Sequence, residues 1–145
     1  MKPRKETNLK VVIVPCSGIG KAFGSVSREA AYIITEDLRP EYTDLVALAK
    51  LVMGEASAVA KVSGNPAITI DGCKLACASK MVEESGGKIA QAFDVLDVYR
   101  RYKDFRPEGI AVLNENGIRL AEALADEASI CIDNLATKSK EGRNA

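Results

Sequence analysis

The sequence predicts a three-layer α/β/α domain on a mostly parallel sheet of about four strands, and three observations lead to it. Residues 9–14 (LKVVIV) form an almost unbroken β-branched apolar run, as expected of a strand buried on both faces. That run passes through Pro15 into the glycine-rich CSGIGKAFG of residues 16–24 and then into a helical pattern, which is the opening of an α/β unit. A second apolar run, AITI at residues 67–70, breaks at once into Asp71-Gly72-Cys73.

The remaining elements follow in order. Ser25 or Ser27 is placed to cap a first helix that carries Ala30, Ala31, Ile33 and Ile34 and stops before Pro40. Thr43 is placed to cap a second helix through Met53, with Leu45, Leu48, Leu51 and Val52 on its apolar side, and a short helix spans Glu55 to Val62. Gly64-Asn65-Pro66 breaks the chain before the strand at Ala67–Ile70. A helix then starts at Cys73 or Lys74, runs to Ser85 and is closed by Gly86-Gly87. Residues 91–98 and 109–113 read as two further strands. Asn114 or Asn116 opens the last helix, in which Leu120, Leu124, Ala128, Cys131 and Leu135 form one stripe. No linker divides the chain, so residues 9–137 read as a single α/β metal-binding domain with flexible polar termini at 1–8 and 138–145.

Composition removes several functions. With 20 Lys plus Arg against 20 Asp plus Glu, the chain has no global electrostatic attraction to a polyanion, and no nucleic-acid partner is expected. Tyr99-Arg100-Arg101-Tyr102-Lys103 interleaves aromatics with cations, but Asp97 and Asp104 flank it and it reads as a solvated connection. Histidine is absent, which excludes Cys/His zinc fingers, imidazole triads and His-ligated haem. No apolar run is long enough to span a bilayer, so no membrane partner is expected. Four irregularly spaced cysteines without a secretion signal read as reduced thiols of a cytoplasmic protein.

The cysteines carry the chemistry. In an open parallel sheet, functional groups gather where the β-to-α loops converge at the carboxyl ends of the strands. Cys16 follows the first strand directly, Cys73 follows Asp71-Gly72 at the end of the second, and Cys77 comes four residues later. The C-x-x-x-C spacing places Cys73 and Cys77 on one face of the first turns of a helix, where backbone N–H groups favour thiolate. Three thiolates suit zinc or an iron–sulfur cluster; the same groups suit redox or covalent chemistry, and buried structural cysteines are the bland alternative. Asp71 is a further ligand, the holder of a bound water or the cap of the following helix, and Ser17 is a weaker fourth-ligand candidate. Cys131, on the apolar stripe, reads as core.

The first loop fails each familiar phosphate motif. Aligning a Walker A pattern on Gly20-Lys21 puts Pro15 at the first glycine and Ala22 at the Mg²⁺-binding hydroxyl, and a C-x5-R phosphatase would need a basic residue where Ala22 stands. Gly18, Gly20 and Gly24 are spaced one residue too widely for a dinucleotide fingerprint. Exposed N–H groups of the loop still favour an anion, so Ser17, Gly18, Gly20 and Lys21 form a candidate anion-binding loop and a small anionic ligand is an expected partner.

The stretches VVIVPCSGIGKAFGSVSREAA (11–31) and AITIDGCKLACASKMVEESG (67–86), in this order, resemble the DGC-domain family of zinc-binding proteins. The resemblance covers most of residues 9–98 and implies that Cys16, Cys73 and Cys77 are the zinc-binding cysteines. Relatives often carry another cysteine before a leucine after the first helix; here that pattern reads Ala47-Leu48, so the resemblance implies a missing fourth thiolate and an open site or one closed by Asp71. The expected function is therefore a cysteine-based zinc protein without an assigned reaction. The alternatives are a thiol-dependent redox or small-molecule enzyme with Cys16 as nucleophile, and a noncatalytic module that senses a metal or ligand.

Overall fold

A computed structural model describes residues 10–16 and 21–144, with side chains through Thr137. The expected loose amino terminus and Ser17, Gly18 and Gly20 lie outside the described residues, as do the side chains of the tail from 138.

Four strands, β1 (Val11–Pro15), β2 (Thr43–Leu45), β3 (Pro66–Asp71) and β4 (Lys88–Asp94), form one parallel sheet in the order β2-β1-β3-β4. Because β1 lies between two strands and both its faces are covered, all five of its residues are buried. Val11 and Ile13 face one layer with α1 (Ala22–Tyr32), α5 (Val95–Arg101) and α6 (Glu115–Asn144). Val12, Val14 and Cys16 face the other, with α2 (Leu48–Val52), α3 (Ala56–Gly64) and α4 (Cys77–Glu84). Each fully buried Ile or Val contributes roughly 1.5–3 kcal/mol of transfer free energy, so this paired alternation sets the strand's orientation. The α/β/α layering and the parallel four-stranded sheet match the sequence expectation.

Several boundaries differ. α1 starts at Ala22, one turn before Ser25 and Ser27, which lie buried within it rather than capping it. It runs into a π-helical stretch, Ile33–Leu38, closed by Arg39 N–H donating to the Ile34 carbonyl at 2.8 Å. The expected helix from Thr43 is instead β2 followed by the short α2: Val11 N–H donates to Tyr42 O at 2.8 Å and Val46 N–H to Ile13 O at 3.0 Å, drawing residues 43–45 onto the sheet edge. The Thr43 hydroxyl donates backwards, to Arg39 O at 2.7 Å. The strand expected at 91–98 begins earlier, at Lys88, and stops at Asp94, whose Oδ1 accepts the Leu96 N–H at 2.9 Å and starts α5. Residues 109–113 form no strand; Gly109, at φ +96°, turns so tightly that a Cβ there would collide with the Val112 carbonyl. Asn114 does cap the last helix, its Oδ1 accepting the Gly117 N–H at 2.8 Å. Among the described residues no helix is long and apolar enough to cross a membrane.

Candidate thiol site at the switch point

The chain leaves β1 for β2 on one side and later returns to β3 on the other, so the order β2-β1-β3-β4 reverses direction between β1 and β3. At such a point the loops beyond the strand ends diverge and leave a crevice. Cys16 and the Asp71-Gly72-Cys73 segment both stand there, at the ends of neighbouring parallel strands. The sequence places both segments at strand ends, and the pairing of β1 with β3 makes those ends neighbours.

Cys16 is 7% exposed and continues the pairing of β1, its N–H donating to Ile70 O at 2.9 Å. Its Sγ accepts the backbone N–H of Gly72 at 3.1 Å and lies 3.4 Å from Ser27 Oγ. Ser27, fully buried on α1, donates to Gly24 O at 2.6 Å and lies 3.2 Å from Cys16 O. The backbone N–H donated to the sulfur, with a hydroxyl beside it, fixes where Sγ stands between the two strand ends. Ser27 is a site residue that the sequence reading assigned only to capping; a buried serine on an otherwise apolar helix face is the signal for it.

Gly72 is a glycine for a steric reason. A Cβ there would lie 2.9 Å from Gly24 N and 3.0 Å from the Phe23 carbonyl carbon, both backbone atoms of the first turn of α1. Only a residue without a side chain lets the β3–α4 turn pass this close and present its N–H to Cys16.

Asp71 is 4% exposed and its carboxylate is fully engaged. Oδ1 accepts the Ala78 N–H at 2.8 Å, and Oδ2 accepts the Ser79 N–H at 3.3 Å and the Ser79 hydroxyl at 2.8 Å. Thr69 Oγ1 completes the group at 2.8 Å from Ser79 Oγ. Of the roles open to Asp71, the geometry is that of a cap on the first turn of α4.

Cys73 and Cys77 do not share a helix face. Cys73 O accepts the Ala76 N–H at 3.1 Å, making residues 73–76 a turn, and Ala76 is left-handed at φ 53°, ψ 47°. The helix begins only at Cys77, which is exposed, while Cys73 is half-buried. Among the described residues no group of three or more Cys, Asp or Glu side chains stands together as a metal site. The three sulfurs therefore fit zinc as donors, being soft and accompanied by no histidine, but they are not a preformed cage.

Lys21 is exposed immediately before α1. Arg28 is turned to Ser25, donating to its Oγ at 3.1 Å, while that hydroxyl donates to Ile110 O at 2.6 Å. Cys131 packs half-buried against the core beneath α1, α5 and α6; burial, helped by the Glu127 charge, pushes its thiol pKa up. In the aromatic–basic segment Arg100 pairs with Asp97 at 2.7 Å, Arg101 with Glu127 at 2.5 Å, and Tyr99 meets the edge of Phe23 with ring centroids 5.6 Å apart.

A family model described as the DGC domain matches residues 12–117, a span that holds Cys16, Ser27, Asp71, Gly72, Cys73 and Cys77. No curated protein and no solved structure matches the chain.

Proposed function

The chain belongs to the DGC-domain family, and on that premise we propose that it is a zinc-binding protein whose site is built on Cys16, Cys73 and Cys77. The observation that carries the reading is the Gly72 N–H donated to Cys16 Sγ at 3.1 Å across the switch point, which gives the buried thiol a fixed partner from the strand end that also delivers Cys73. Cys16 is the fixed ligand, held by the pairing of β1 with β3. Cys73 opens the 73–76 turn and Cys77 follows it at the start of α4, and both would hold the metal together with Cys16. Asp71 stays with α4, because releasing it would strip two N–H groups and a hydroxyl of their acceptor. Held by these three cysteines, a zinc ion would cross-link the end of β1 to the β3–α4 turn.

Metal analysis of untagged protein, before and after anaerobic reconstitution with zinc or with iron and sulfide, tests this. About one zinc per chain, lost on Cys16→Ser, supports it; less than about 0.1 equivalent of any transition metal after reconstitution overturns it, because folding and metal binding should be coupled. Brown protein with visible absorption would identify the same thiols as an iron–sulfur site.

The contacts of Cys16 with Gly72 and Ser27 also favour a second reading, in which Cys16 is a reactive thiol. Limited alkylation near neutral pH would then modify Cys16 ahead of Cys131, whose thiol is held protonated by burial. Equally slow labelling of both in folded, metal-free protein would rule this out.

A further inference from the structure

Two of the four cysteines stand on one short turn outside the core. Cys73 is half-buried, Cys77 is exposed, and Leu75 between them is 64% exposed, so the turn that carries both thiols is open to solvent. The other two are differently placed. Cys16 is 7% exposed with its sulfur met by the Gly72 N–H, and Cys131 packs in the layer on the far side of the sheet.

The backbone of the turn sets how far apart Cys73 and Cys77 stand. Cys73 O accepts the Ala76 N–H at 3.1 Å, and neither Lys74 nor Leu75 has a positive φ, which makes residues 73–76 a type I turn. Ala76 then follows in the left-handed region, at φ 53° and ψ 47°. A type I turn completed by a left-handed residue is the three-residue loop that reverses a chain and brings the residues on either side of it opposite each other. Residues opposed in this way have Cα atoms roughly 4.5–5.5 Å apart, and a disulfide needs about 4.4–6.8 Å. The Cα separation is set by the dihedrals of residues 74–76 alone. It therefore holds although Cys77 opens a helix rather than a returning strand.

We propose that Cys73 and Cys77 are a redox-active pair that closes into a disulfide across Lys74-Leu75-Ala76, with a small-molecule disulfide as the oxidant. The thiolate of the exposed Cys77 attacks one sulfur of the incoming disulfide, breaking its S–S bond, forming a mixed disulfide and releasing one small thiolate. The Cys73 thiolate then attacks the Cys77 sulfur and displaces the second small thiolate. The protein gives up two electrons and two protons, and the small disulfide leaves as two thiols. Oxidation takes away two of the three sulfurs proposed for zinc; that consequence rests on the zinc reading, whereas the pairing of Cys73 with Cys77 does not.

The test is equilibration of the full chain, freed of metal by a chelator, in anaerobic buffers of glutathione and glutathione disulfide at set ratios. Remaining thiols are alkylated after an acid quench and the peptides read by mass spectrometry. The expected product is a Cys73–Cys77 disulfide with Cys16 and Cys131 alkylated. Its equilibrium constant should be about ten-fold or more above that of the same chain unfolded in urea, because the folded turn holds together two thiols that the unfolded chain must bring together. Equal constants in the folded and unfolded chain, glutathione adducts without the internal disulfide, or a disulfide that includes Cys16 would overturn it. One zinc per chain without the disulfide would sink this proposal alone, and the disulfide in a chain that takes up no zinc would sink the metal reading alone.

Discussion

The N–H of Gly72 meets the sulfur of Cys16 at 3.1 Å across two strand ends that lie 56 residues apart in sequence. The contact is possible because Gly72 passes against the backbone of Phe23 and Gly24 with no room for a Cβ. Gly72→Ala must therefore push the β3–α4 turn away from α1, since the atoms in its way are backbone and cannot swing aside. An overpacked site of this kind loses about 1–3 kcal/mol, which a urea titration would read as a lower midpoint. The same displacement uncovers Cys16, so its alkylation in the folded state should become faster than in the parent protein. Unchanged stability together with unchanged labelling would contradict the packing account.

Asp71→Ala separates two of the roles the sequence leaves open for that residue. As a cap, Asp71 serves Ala78 N, Ser79 N and the Ser79 hydroxyl, and its loss should lower stability by about 1–2 kcal/mol. Asp71→Asn, which retains one acceptor oxygen, should lose less. Zinc stoichiometry measured on the folded variants should stay at the parental value. If it fell to zero in Asp71→Asn while the fold remained, Asp71 would be a ligand after all.

What could be read in advance follows from how local each determinant is. β1 was legible because a strand covered on both faces needs an apolar side chain at every position, and α6 because Leu120, Leu124 and Ala128 repeat at helical spacing and are all buried. β2 was not, because three residues carry no periodicity of their own and their conformation is set by the bonds of Val11 N–H to Tyr42 O and Val46 N–H to Ile13 O. At the site, the strand-end positions of Cys16 and Cys73 were legible from Pro15 and from Asp71-Gly72. The face shared by Cys73 and Cys77 was misread, since the four-residue spacing has its helical meaning only if the helix includes both, and the left-handed Ala76 delays its start. The demand for glycine at 72 comes from α1, more than 40 residues away in the chain, and has no local signature.

A third prediction concerns acid stability. Arg39, at the end of the π-helical stretch, donates from Nε to Asp133 Oδ1 and from Nη2 to Oδ2, both at 2.8 Å, and so fastens the approach to β2 onto α6. These hydrogen bonds, with a lesser help from charge attraction, hold the Asp133 carboxyl below its ordinary value of 3.8 against the opposing effect of burial. A carboxyl lowered by folding adds stability that is present above the unfolded value and lost as pH falls through the folded one. The pair is largely solvent-exposed, so Asp133→Asn should cost no more than about 1 kcal/mol at neutral pH. Urea midpoints of parent and variant should converge as pH drops below about 3.8, and high salt at pH 7 should shrink their difference. A difference that persists at pH 2 would place the effect in packing rather than charge.

The last prediction turns on Ala76, the only non-glycine residue with positive φ among the described residues. A left-handed backbone costs an L-residue with a Cβ roughly 1–2 kcal/mol, whereas glycine adopts it freely but loses about 0.5–1 kcal/mol of chain entropy on folding. Ala76→Gly should therefore be neutral to stabilising by about 1 kcal/mol, and Ala76→Val, with a branched Cβ in the same region, clearly destabilising. Ala76 is also the joint between the turn that carries Cys73 and the helix that begins with Cys77, so its dihedrals set the angle between the two thiols. A variant that keeps this conformation should keep zinc, and one forced out of it should lose zinc before it loses the fold. Ala76→Gly binding zinc at parental stoichiometry while folded Ala76→Val binds less is the expected pattern, read by metal analysis alongside far-ultraviolet circular dichroism. Equal zinc in both variants, with Ala76→Val destabilised as expected, would mean that the angle between Cys73 and Cys77 does not matter to the metal.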